Sequence, residues 1–149
     1  MKIRRKQIIF FVLLFFLAFI IFDFSAQNGE KSAGFSENLT EKILRLSGMT
    51  DVNFENAERI LRKTAHFVEF FAFGLLLCLL VLSFGCAERK AAVFAFLISF
   101  LYAFADEFHQ FFVPERAPSF LDVLIDSVGA ACGILLVFLF RFLSKKKKC

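Results

Sequence analysis

Five carboxylates (Glu69, Asp106, Glu107, Asp122, Asp126) and four basic side chains (Lys63, His66, His109, Arg116) stand inside or beside the most apolar stretches of this chain. Ionisable groups are costly in hydrocarbon and tend to persist there for a function. Asp106 and Gln110 are four residues apart, as are Asp122 and Asp126, so each pair projects from one side of a helix. Lys63, His66 and Glu69 follow one another at intervals of three and come within reach on a broad helical face. Such a set opens several chemistries. The acids could hold a divalent cation, a histidine beside them could exchange protons in catalysis, or buried carboxylates could serve as relays in transport. Arg116, in the turn VPERAPS, carries a planar fork that suits a carboxylate or a phosphate.

The elements that must position these groups are membrane spans. Of the 149 residues, 58% are apolar and 25 are phenylalanine, too hydrophobic for an ordinary soluble domain. Four apolar blocks, at residues 7–24, 64–84, 91–113 and 120–143, each approach the length that crosses a bilayer as a helix. The runs are continuous and lack the alternation of a lipid-facing barrel, which predicts an all-α polytopic membrane protein with four transmembrane helices. The basic start followed by a short apolar run also resembles a signal peptide. Cleavage after Ala26 would put Phe24 where a small residue is wanted, so we read a retained anchor.

Charge gives the orientation. The segments before the first span, between the second and third, and after the fourth hold eleven of the eighteen Lys and Arg and a single acid, Glu88. Both termini are therefore expected in the cytoplasm. The segment 25–63 and the turn around Arg116 then lie outside. The basic runs lack aromatic or glycine-rich recognition patterns, so no nucleic acid partner is expected; a topology signal and attraction to anionic lipid account for them. Cys78, Cys86, Cys132 and Cys149 show neither a disulfide framework nor a CxxC or Cys/His metal spacing.

With this topology His66 and Glu69, Asp106 to Gln110, and Asp122 and Asp126 reach the outer ends of three different spans at one depth. They are expected to form a polar pocket open to the outer leaflet, built from Lys63, His66, Glu69, Asp106, Glu107, Gln110, Arg116, Asp122 and Asp126. So many like charges need protons or a shared divalent cation to offset them, and no other cofactor is implied. A purely structural polar network is the competing account. Gly129 and Gly133 make a GxxxG spacing that permits close helix approach and offers a route to a homo-oligomer. In the outer segment, FSENLTEKILRLSGM predicts a short amphipathic helix capped at Ser36, with Leu39, Ile43 and Leu46 on one face and a stop at Gly48. From about Asn53 the chain reads as one helix running into the second span. No internal repeat or long linker divides the chain, so residues 1–149 read as a single membrane domain.

The strings SAQNGEKS, RKTAHFVEFFAFG and ADEFHQFFVPERAPSFLDVLIDSVGAACG, in this order, resemble the VanZ-like family. The resemblance implies a four-span integral membrane protein of bacterial cells, in a family named for a protein associated with low-level teicoplanin resistance. The matching positions are Ser25, Gln27, Lys63, His66, Glu69, Asp106, Glu107, Gln110, Arg116, Asp122, Asp126 and Gly129. The family often has Gly between the Pro and Arg of the turn. Glu115 stands there instead and lowers the positive potential near Arg116.

Three functions compete at this stage. The first is a binding or accessory protein that engages an envelope lipid or lipid-linked cell-wall intermediate, with Arg116 and Lys63 on a phosphate. The second is a metal-dependent enzyme acting on a lipid phosphate, with His66 or His109 as acid/base, although no complete phosphatase, transferase or hydrolase motif is present. The third is an ion-coupled transporter, against which stand the four short spans and the placing of the acids at one membrane end.

Overall fold

The chain, described by a computed structural model over residues 4–26, 29–48, 53–114 and 118–146, is all-α, with no strand among the described residues. The helices are α1 (Arg5–Ala26), α2 (Gly29–Ser47), α3 (Phe54–Ser83), α4 (Glu88–Gln110) and α5 (Phe120–Lys146). All but α2 are long and apolar enough to cross a membrane. In lipid every backbone polar group must be satisfied internally, which helices of this length achieve within themselves.

Local signals set the ends. Asn53 caps α3, its side-chain oxygen accepting the Asn56 amide at 3.2 Å. Gly48 (φ 68°) and Gly85 (φ 84°) adopt the left-handed backbone that favours glycine, just beyond the last turns of α2 and α3. The expected stop at Gly48 is therefore observed, whereas the expected cap at Ser36 is corrected. The helix begins at Gly29, and Ser36 lies inside it, buried, its hydroxyl donating to Glu58 Oε1 of α3 at 2.6 Å. Tertiary contact overrides the local preference of serine for a cap.

Helices α3 and α5 make the most extensive contact, and they run parallel: Lys63, His66, Phe67 and Phe71 of α3 meet Asp122, Asp126, Gly129 and Gly133 of α5 in that order. Glycine permits this approach. A Cβ at Gly129 would collide with the Phe67 carbonyl and one at Gly133 with the Phe71 carbonyl, while one at Gly74 would come within 2.8 Å of the Ala130 Cα. Apolar burial supplies little drive among lipid chains, so close backbone packing is what joins such helices. The GxxxG face is thus used inside the chain, against the backbone of α3.

Phe70, Phe73, Leu77 and Cys78 of α3 form the core with Val123, Ile134 and Val137 of α5 and Ala95 and Ala103 of α4. Tyr102 of α4 stacks on Phe73 at 4.9 Å and donates its hydroxyl to the Ala18 carbonyl of α1 at 2.7 Å, tying the more peripheral α1 to the bundle. At one end of the bundle Gln7 Nε2 donates to the Ser83 carbonyl at 3.0 Å, and Arg141 and Lys145 pair with Glu88. The start of α1 and the end of α5 therefore share this basic end. The opposite end carries α2 and the acids.

Candidate functional site

The polar end is built on the α3–α5 pair. Lys63 Nζ donates to Asp122 Oδ1, and one turn deeper His66 Nδ1 lies 3.6 Å from Asp126 Oδ1. The i,i+3 spacing on α3 meets the i,i+4 spacing on α5 because the two helices run in the same direction. Asp126 is 0% exposed, and neither of its oxygens accepts a hydrogen bond from a described residue. A buried carboxylate in that position depends on its surroundings for compensation.

Helix α4 closes the cluster with Asp106, Glu107 and Gln110, all buried. Gln110 Nε2 donates to Asp106 Oδ2 at 3.2 Å, so the predicted pairing of these two along one side of a helix is present. Glu107 Oε2 accepts the Ser119 amide at 2.9 Å, immediately before α5 begins, where a carboxylate also complements the helix dipole. Glu69, Asp106, Glu107 and Asp122 all lie within electrostatic range of Asp126. The three clusters that are separate in sequence thus meet in space. His109 turns toward α1, its ring 4.7 Å from that of Phe22. Arg116 and Gln27 lie outside the described residues.

A cavity of about 170 Å³ opens between α1, α2 and α3. His66 and Glu69 reach its wall from one side, joined by Arg62 above them and by Ser25 and Ser36 from α1 and α2. Ile21, Phe24, Phe35 and Leu39 supply the apolar part of the lining. Ser25 is 3% exposed, and its hydroxyl has no hydrogen-bond partner among the described residues. Helix α2 covers this cavity through the Ser36–Glu58 hydrogen bond and the Phe24–Phe35 contact, with ring centroids 6.2 Å apart. Leu46, farther along α2, remains 81% exposed.

Of the residues proposed for the pocket, His66 and Glu69 line this cavity, while Asp106, Gln110 and Asp126 are buried behind it. Glu107 also borders a separate recess between α4 and α5, lined largely by phenylalanines. Lys63, expected on a phosphate, is engaged by Asp122, so its charge is met within the protein. Sequence reasoning gave no cavity role to Arg62, although Arg62, His66 and Glu69 stand at i, i+4 and i+7, the period of one helical face. Ser25 entered only through family resemblance, since nothing local to it announces that α2 will fold over it. Among the described residues, no group of three or more His, Cys, Asp or Glu is arranged to hold a metal ion.

Histidine set between a buried carboxylate and a cavity wall can bind a polar group or exchange a proton with one. The apolar side of the cavity suits the neighbouring part of an amphiphile. Neither a curated protein nor a solved structure matches the chain. A family model described as VanZ/LLP1 matches residues 10–141. With four membrane-length helices and the polar cluster lying within the matched region, the chain belongs to the VanZ/LLP1 family.

Proposed function

We propose that this VanZ-family membrane protein is a binding or accessory protein of the bacterial cell envelope, taking the head of an envelope lipid or lipid-linked cell-wall intermediate into the cavity beneath α2. In this reading the basic end faces the cytoplasm, as the excess of Lys and Arg there favours, and the cavity faces the outer leaflet. The observation that carries it is the mixed lining: a buried Ser25 hydroxyl with no hydrogen-bond partner among the described residues, together with His66, Glu69 and Arg62, set among Ile21, Phe24 and Phe35. Arg62 suits a phosphate at the mouth. Ser25, His66 and Glu69 would bond hydroxyl or amide groups deeper in. The volume, about 170 Å³, suits a headgroup fragment. The low-level teicoplanin resistance for which the family is named would then act through the handling of such a lipid.

The test is native mass spectrometry of the gently purified full chain, comparing the parent with Ser25→Ala and Arg62→Gln. A defined lipid retained by the parent and lost from both variants is the expected result. Equal retention in all three would refute the assignment.

One contact supports a second reading. Asp126 beside His66 Nδ1 is an arrangement that can orient an imidazole for acid–base work on a lipid phosphate. Phosphate release from a polyprenyl phosphate, abolished by His66→Gln, would favour catalysis. The metal-dependent form of this idea has no donor group among the described residues to rest on.

A further inference from the structure

At the basic end, far from the cavity under α2, a groove of about 490 Å³ runs between α3 and α5. Leu75, Leu79, Val137 and Phe140 line its deeper part, and Arg141, Ser144 and Lys145 stand at its end. The sequence along α5 explains this polarity. Apolar residues continue to Phe140, and cations begin at Arg141, so the groove changes from hydrocarbon-like to charged where the helix leaves the membrane.

Its charge is unbalanced. Arg141 Nη2 and Lys145 Nζ both reach the same oxygen, Oε1 of Glu88, at 3.1 and 2.9 Å. Two cations share one carboxylate, which among the described residues leaves one positive charge uncompensated at the mouth. Arg141 and Lys145 keep 45% and 69% of their side-chain surface exposed, so both have donors to offer outside this contact. An apolar trough ending in excess positive charge and a hydroxyl is complementary to a lipid with an acyl chain, a phosphate and a net negative head.

We infer that this groove is a binding site for an anionic phospholipid of the leaflet at the basic end, with its phosphate on Arg141 and Lys145 and one acyl chain along Leu75, Leu79 and Phe140. A zwitterionic lipid carries the same phosphate, but its ammonium leaves the excess charge of the groove unmet. Glu88 competes with the lipid for the two cations. The site is independent of the proposed outer cavity, since it shares no residue with it.

The full-length protein is titrated in mixed micelles with phosphatidylglycerol or phosphatidylcholine, and bound lipid is read by native mass spectrometry. The parent is expected to retain phosphatidylglycerol preferentially. Arg141→Gln with Lys145→Gln lowers that retention by about fivefold per removed cation, corresponding to ~1 kcal/mol for each basic residue near the surface. Glu88→Gln raises it, because a competitor is removed while both cations stay. Arg89→Gln with Lys90→Gln removes two charges from outside the groove and is expected to have a much smaller effect. Equal retention of the two lipids overturns the proposal, as does an Arg89/Lys90 effect as large as that at Arg141 and Lys145, which would mean a diffuse basic surface. A fall in retention with Glu88→Gln also counts against it.

Discussion

Asp126 of α5 lies 3.6 Å from Nδ1 of His66 on α3, fully out of solvent, and this contact connects the buried acids to the cavity under α2. Removing either partner changes the environment of the other. In a cycle of His66→Ala, Asp126→Ala and the double substitution, the two sites should couple by ~1 kcal/mol or more in thermal or denaturant melts, within the range for residues in direct contact. Strict additivity would show that the pair is only adjacent.

Lys63 and Asp122 form the outer rung of the same ladder, and both side chains retain a quarter or more of their surface. Lys63→Met should cost ~1–2 kcal/mol, more than a surface pair but less than a fully buried one. The double substitution Lys63→Met with Asp122→Leu should recover most of that loss, because no charge is left without its partner. A double variant that melts no higher than Lys63→Met would contradict this account.

Gly133 packs against the Phe71 carbonyl with no room for a Cβ, whereas nothing lies within 4 Å of a Cβ placed at Gly34. Gly133→Val should lower stability by at least ~1–3 kcal/mol through overpacking of α3 against α5. Gly34→Ala should leave it level or slightly higher, since alanine favours the helix. The comparison is a melting curve of each variant in the same detergent.

Ser25 separates binding from structure. Its hydroxyl contributes no hydrogen bond among the described residues, so Ser25→Ala should leave the melting temperature unchanged or raise it slightly. Retention of the lipid proposed for the cavity under α2 should nevertheless fall. A marked loss of stability would instead identify the hydroxyl as a structural group.

Ser36 and Glu58 hold α2 against α3 through a hydrogen bond of 2.6 Å. Ser36→Ala should cost ~1 kcal/mol. Amide exchange should accelerate along α2 while α3 and α5 keep their protection. Uniform acceleration across the bundle would show that α2 is not a separate cover.

Local chemistry made much of this protein readable from its sequence. Four unbroken apolar blocks announce spanning helices because hydrocarbon leaves the backbone no other partner. Gly48 marks the end of α2, the start of α3 near Asn53 is a capping signal, and Asp106 with Gln110 share a side of α4 by helical period alone. Likewise, the alternation of basic and acidic ends follows from where the charges fall between the blocks. What the tertiary structure decided is which groups meet. Hydropathy contains no term for the rotation or axial register of one span against another, and a change in register at the α3–α5 contact would separate Lys63 from Asp122 and His66 from Asp126. Gly129 and Gly133, seated on the Phe67 and Phe71 carbonyls, set that register by steric exclusion. The cavity depends on a longer-range event still, the folding of α2 back onto α3 through Ser36 and Glu58, 22 positions apart, which covers the space lined by Ser25 of α1 and by Arg62, His66 and Glu69 of α3.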